Sequence, residues 1–529
     1  MPRHSCCPYH QESRLSPRPP PHFHVAIAGS GFGGLGMAIR LKQEGHEDFV
    51  IFERAQEVGG VWRDNSYPGC ACDVQSHLYS FSFAPNPGWS RAYSPQAEIH
   101  AYLRDCADRF GIRPHVRFGH TVLAARWDDD QQHWHLETSE GPFTAEVFVS
   151  AAGALSDPAI PKLPGIETFQ GKTMHSARWD HGYSLAGRKV AVIGTGASAI
   201  QFVPRIQPEV GKLVIFQRTP PWIIPRGDRP LSKRMQWVYA HVPGVHRLTR
   251  WLIYAFRELT ALGFMHPWIL ELVQRLAVRH LEQSIPDPEL RARLTPNYTL
   301  GCKRVLISDD YLASLNHENV ALVTEKIREV REHSIVTADG TEHAVDAIIF
   351  GTGFQVQELP IARLIRGRHG HTLAEAWGRT MTAHLGTTVS GFPNFFMLMG
   401  PNTGLGHSSV LLMLEGQLEH VLKALRYLEG RNLAAVEPTP EAQAEFVRYV
   451  DSRMSGTVWN QGGCASWYLD ASGRNSALWP GFISSFKRRV EHFEPTEYVA
   501  ITRRVRSASV GQERGRRVGN EVSRIGVSP

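Results

Sequence analysis

Two glycine-rich turns, Gly29-Ser30-Gly31-Phe32-Gly33-Gly34 and Gly194-Thr195-Gly196-Ala197-Ser198-Ala199, each follow a short apolar run and open a stretch of helical apolar spacing. Small residues let a backbone approach a pyrophosphate, and the helix N-terminus behind them favours its charge. Counting 24 residues from Gly29 reaches Glu53, a carboxylate able to accept hydrogen bonds from a ribose diol. The same 24-residue count from Gly194 reaches Arg218, followed by Thr219. A guanidinium there pairs with a 2′-phosphate, so the second nucleotide is expected to be NADPH rather than NADH. A solvated arginine at a strand end is the plainer alternative for Arg218.

Both turns need a strand, helix and strand to aim them. Residues 23–28, 36–43 and 49–52 supply that order for the first turn, and 189–193, 199–206 and 213–216 for the second. Two further strand-like runs, 147–153 and 347–353, end in Gly153 and Gly353, and their small residues suit a close backbone crossing. The fold class expected is α/β, with two Rossmann-like dinucleotide-binding domains. Residues 23–164, rejoined by 382–500, form the first. Residues 165–381 form the second, with a helical insertion at about 225–288 that could roof an apolar pocket, pack as core or face a partner.

At 529 residues and 42% hydrophobic content the chain can bury two or three cores. The net charge of +6 is concentrated from Thr502 onward, where seven Arg face two Glu, so the body is nearly neutral. A disordered leader over 1–22 and a disordered basic tail over 501–529 are expected from composition, with no nucleic-acid partner. The apolar stretch from Trp251 to Leu270 is broken by Arg257, Glu258, His266 and Pro267, which predicts an amphipathic helix rather than an integral membrane span. Seven scattered cysteines and no signal-like opening point to a reducing cytoplasm. No residue pattern calls for a metal.

Between the turns, Phe169, Gly171, His175, Trp179 and Asp180 fit the pattern FxGxxxHxxxW followed by Pro or Asp. Here the chain resembles the Baeyer–Villiger monooxygenases, class B flavoproteins related to the flavin-containing monooxygenases. The resemblance runs over roughly residues 23–500. It implies FAD on the first turn and NADPH on the second. It also implies flavin-lining loops at Gly59-Gly60-Val61-Trp62 and around Asp73, with Asp73 and Tyr79 at positions that contact FAD or the nicotinamide. A paired Lys303 and Arg304, and a C-terminal loop whose Trp467 folds over the NADP, complete the implied site. His175 is expected to act conformationally at the domain junction.

The implied activity is the insertion of one oxygen atom of O2 next to a ketone carbonyl, through a C4a-peroxyflavin, to give an ester or lactone. An anionic peroxide calls for a fixed cation. Arg304, which cannot deprotonate, is the candidate, oriented by Asp73, with Lys303 near the 2′-phosphate. Two rival activities stay open: N- or S-oxygenation by the same flavin, and a non-catalytic dinucleotide sensor. Cys70 and Cys72 are expected to be structural thiols, since a disulfide spanning one residue has poor geometry.

Overall fold

The computed structural model describes residues 19–504. Most of the expected leader and tail therefore lies outside the described residues. At the edges the expectation is corrected: a strand begins at His22, and the C-terminal strand Tyr498–Thr502 takes in the first two residues assigned to the tail. Pairing explains both, because His22 lies opposite Thr144 and Tyr498–Thr502 runs antiparallel to Leu433–Pro438.

The first sheet is built on β1 (His22–Ala28), which leads through α1 (Phe32–Gln43) to the parallel β2 (Phe49–Glu53), with β3 (Val116–Phe118) beyond it. An antiparallel meander of β4 (Val122–Asp128) and β5 (His133–Thr138) feeds β6 (Gly141–Ser150). The far half of β6 lies parallel to β1 on the side away from β2. Phe395–Met397 then adds parallel to β6. Both faces of the parallel part of this sheet are covered, so β2 and the end of β1 read as continuous apolar runs, while β4 and β5 alternate. Ile27 and Ile51 face α1 and the long helix Val410–Arg431, while Ala26, Phe52 and Phe148 pack with Trp134 and Phe395 on the other side.

The second sheet comprises β7 (Lys172–His175), β8 (Lys189–Ile193), β9 (Lys212–Phe216), β10 (Val320–Val323) and β11 (Ala347–Phe350). It is wholly parallel in the order β10-β9-β8-β11-β7, with α2 (Ala199–Ile206) following β8. Helices Lys233–His241, α3 (Val245–Met265) and α4 (Pro267–Ser284) fill the connection between β9 and β10. Pro267 opens α4 at a position that needs no N–H donor, which is why one apolar stretch becomes two helices. No helix among the described residues is long and apolar enough to cross a membrane.

One boundary moves. The chain was expected to rejoin the first sheet near residue 382, but Ile365–Arg366 already pairs with β4. Two residues of strand carry too little periodicity to be read from sequence.

Candidate active site

The first turn forms where β1 must pass beneath the end of β6. Gly29 has φ +101°, and a Cβ there would stand 2.7 Å from the carbonyl oxygen of Ala151. Gly194 repeats this, with φ +102° and a Cβ position 2.6 Å from the carbonyl oxygen of Gly351. Each nucleotide turn is thus pressed against its own crossing strand, the contact that the small residues of 147–153 and 347–353 suggested. Gly60, at φ +53°, backs onto Gly31, where a Cβ would lie 3.0 Å from the Gly31 Cα.

Gly29, Gly31, Phe32, Gly33, Glu53, Gly60, Val61, Trp62 and Tyr79 all line one cavity of about 490 Å³, together with Arg304 and Trp467. Gly34 is the third residue of α1, where a Cβ would collide with the Gly29 carbonyl oxygen at 1.8 Å. Glu53 is buried at the end of β2. Its carboxylate accepts from the Ser30 amide (3.1 Å), the Ser30 hydroxyl (2.6 Å) and the Ala55 amide (2.9 Å), and pairs with Arg63 at 3.0 Å. Trp62 Nε1 donates to the Tyr79 hydroxyl at 3.0 Å, fixing two aromatic walls. An uncapped helix N-terminus, a glycine cradle with no room for side chains and a buried carboxylate on the wall are what a flavin dinucleotide requires.

Arg304 reaches the same cavity from the other domain. Its Nε and Nη2 donate to Asp73 Oδ2 at 2.8 and 2.6 Å. The charge of Asp73 pushes the guanidinium pKa above its ordinary value despite burial. Burial works to raise the Asp73 carboxyl, but the charge and hydrogen bond of Arg304 outweigh it and leave it below the usual range. The pair is therefore a permanently ionised unit whose orientation is fixed. Tyr468 stands beside it, with its hydroxyl buried and without a hydrogen-bond partner among the described residues. Burial pushes that phenol up to about 12, against the lowering influence of Arg304.

The second turn, Gly194 to Ala199, lies outside this cavity, as do Arg218, Thr219 and Lys303. Arg218 is exposed at the end of β9, and Thr195 donates through its hydroxyl toward the Thr219 carbonyl at 3.5 Å. Lys303 has its pKa lowered, first by burial and then by the charge of Arg218, and its Nζ lies 5.0 Å from the centroid of the Tyr298 ring. His175 ends β7 next to Phe350 of β11 and is buried. Its Nδ1 accepts from the Ala177 amide at 3.1 Å, while Nε2 has no partner among the described residues. Gly171 is required by packing, since a Cβ would meet the Asp346 carbonyl oxygen at 2.4 Å. Trp179 lies against Phe202 of α2, ring centroids 5.4 Å apart.

Several participants were not read from the sequence. Gln201 of α2 accepts from Tyr67 (3.1 Å) and from the Ala71 amide (3.2 Å) and donates to the Ala71 carbonyl (3.0 Å), tying the second domain to the loop that leads to Asp73. Cys302 and Cys464 form a disulfide, a pairing that seven scattered cysteines did not suggest. A pairing over 162 positions leaves no local trace. Cys70 and Cys72 are buried free thiols, and burial pushes Cys70 up to about 11. Among the described residues one His/His/carboxylate group, His24, His46 and Glu429, clusters at the surface. Ion pairs of 3.5 and 3.8 Å to Glu429 account for it.

The model of the flavin-binding monooxygenase-like family matches residues 22–362. A protein of Streptomyces coelicolor named Baeyer-Villiger monooxygenase is 53% identical over 484 residues, covering 91% of this chain and 93% of that protein. The closed structure of a cyclohexanone monooxygenase superposes with a TM-score of 0.83 at 30% identity, covering 92% of this chain and all of the other. The OTEMO complex with FAD and NADP does so with a TM-score of 0.80 at 27% identity, over 89% of this chain and 97% of that one.

Proposed function

The chain belongs to the flavin-binding monooxygenase-like family, and from that premise we infer that it is an FAD- and NADPH-dependent Baeyer–Villiger monooxygenase. It places one oxygen atom of O2 beside a ketone carbonyl to give an ester or lactone. The observation that carries the reading is Arg304, held by its ion pair with Asp73, at the wall of a cavity shared with the first glycine turn.

Bound FAD, once reduced by NADPH, supplies the activated oxygen. The chain's own residues do the rest. Residues 23–164 with the C-terminal portion hold FAD, through the Gly29 to Gly34 cradle for the pyrophosphate and Glu53 for the ribose. Residues from about 165 to the return at Ile365 hold NADPH, with Arg218 and Lys303 taking its 2′-phosphate. Arg304 offers a permanent positive charge to negative charge developing in a largely apolar cavity, and Asp73 keeps it aimed. Tyr79 and Trp62 wall the flavin side, and Trp467 covers the opening. His175 positions the junction of the two domains without moving a proton. NADPH as reductant favours the cytoplasm as the place of turnover, with a small ketone and O2 as the other partners.

The test is direct. Purified protein should be yellow, consume NADPH faster when a ketone is added, and release one ester or lactone per NADPH. Arg304→Ala should keep its FAD and lose product formation by about 10²- to 10³-fold. Oxygenation of ketones by Arg304→Ala at the native rate, or peroxide release from the wild type with every ketone tried, would refute the proposal.

A further inference from the structure

Helix α3 buries Phe264, packs Ile253 and Tyr254 on the core, and still leaves a second apolar face in solvent. Polar groups share its inward side: Arg250 donates to the His77 carbonyl (2.9 Å), Arg257 to Gln75 Oε1 (2.9 Å), and Glu258 accepts the amides of Ile483 and Ser484 (3.0 and 2.9 Å). Its outward face carries Leu248, Trp251, Leu252, Phe256 and Leu259, each 53–64% exposed and spaced as one helical stripe. Alongside, α4 turns out Trp268, Leu272 and Leu276, with exposures of 71, 68 and 46%. Trp237, on the preceding helix Lys233–His241, extends the patch. A soluble surface does not keep so many large apolar groups together without use.

The rim says what covers them. Over residues 233–284 the exposed cations are Lys233, Arg234, Arg247, Arg275 and Arg279, against the exposed acids Glu271 and Glu282. A second copy of the chain would bring this basic rim against itself in a two-fold contact. An anionic lipid headgroup layer complements it, and tryptophans beside arginines are the composition of helices that lie in a bilayer interface.

We propose that α3 and α4 form a monotopic docking surface for anionic lipid bilayers, lying in the interface and not crossing it. The inner ends of the same helices pack on the cluster that holds Cys302 and Tyr468, so the docked face is one layer removed from Arg304. An apolar substrate dissolved in the bilayer would thus meet the enzyme on the side nearest its site.

The test uses the full chain with vesicles of phosphatidylcholine alone and of equal parts phosphatidylcholine and phosphatidylglycerol. The wild type should sediment with the mixed vesicles, with a blue-shifted tryptophan emission, and bind the neutral ones more weakly. Combined Leu252→Ser, Phe256→Ser and Leu272→Ser should weaken that binding by at least about tenfold while unfolding temperature and NADPH oxidation stay unchanged. Arg247→Glu with Arg275→Glu should remove the preference for the mixed vesicles. Failure of the wild type to bind either vesicle overturns the proposal, and a dimer dissolved by the serine variant would then assign the face to a second copy. Vesicle binding that survives the serine variant undiminished also overturns it, placing attachment elsewhere in the chain, such as its arginine-rich C-terminal segment.

Discussion

At the scale of single residues, the proposed function assigns coenzyme choice to two cations far apart in sequence, Arg218 and Lys303. Lys303 is held below its ordinary pKa by burial and by Arg218, a repulsion that a bound dianionic phosphate would relieve. Arg218→Ala should therefore raise the KM for NADPH about tenfold, the worth of one charge-assisted hydrogen bond at an exposed site, and leave that for NADH nearly unchanged. Equal effects on both coenzymes would show that Arg218 merely supports the fold. Arg218 became a candidate because its offset from Gly194 matches that of Glu53 from Gly29. The approach of Lys303 to it was not legible, since the whole helical insertion intervenes. Tyr468 was visible only as a neighbour of Trp467, and its buried hydroxyl beside Arg304 emerges from three-dimensional packing alone.

At the scale of elements, the inward face of α3 depends on histidines kept neutral. His77 and His246 share a hydrogen bond of 3.0 Å between ring nitrogens, which requires at least one of them to be unprotonated. Burial, then the charges of His246 and Arg250, lower His77 to about 4, and burial lowers His420 to about 4. His133, His175, His246 and His343 are lowered as well, while His24 is raised, chiefly by its hydrogen bond with Glu146. On His77 and His420 the unfolded chain takes up a proton near pH 6.5, whereas the folded chain refuses it until about pH 4, so stability falls as pH falls through that window. His77 and His420 each contribute a loss on the order of 3 kcal/mol when the window is fully crossed. Glu146 and Glu258, both held at about 2, add their loss only below 4.5, so unfolding temperature recorded from pH 7 to 5 isolates the histidines. A flat profile there would contradict the assignment. The strands and helices that carry the two turns were legible from apolar periodicity, and so was the helical character of the insertion. The facing of α3 was not, because Trp251 and Leu259 read like core residues in any amphipathic pattern and stand in solvent here.

At the scale of the whole molecule, the contacts that tie the two domains together include Gln201 on the Ala71 loop, Arg304 on Asp73, and the bridge from Cys302 to Cys464. The bridge is the covalent one, and both of its ends lie within a few residues of site groups, Lys303 and Arg304 on one side, Trp467 and Tyr468 on the other. Gly462, on the far loop, fits so closely that a Cβ would lie 2.5 Å from that of Cys302. Closing a loop across 162 residues restricts the unfolded chain by at most about 5 kcal/mol, so the bridge also stabilises the assembled state against unfolding. Cys302→Ser with Cys464→Ser should lower the unfolding temperature, and it should raise the KM for NADPH more than it lowers kcat, because the loop carrying Trp467 is released while the Arg304–Asp73 pair persists. Dithiothreitol should reproduce both changes in the wild type and do nothing further to the double variant. A wild type whose KM and unfolding temperature are indifferent to dithiothreitol, with free thiols confirmed by titration, would show that noncovalent packing alone holds the two loops in register.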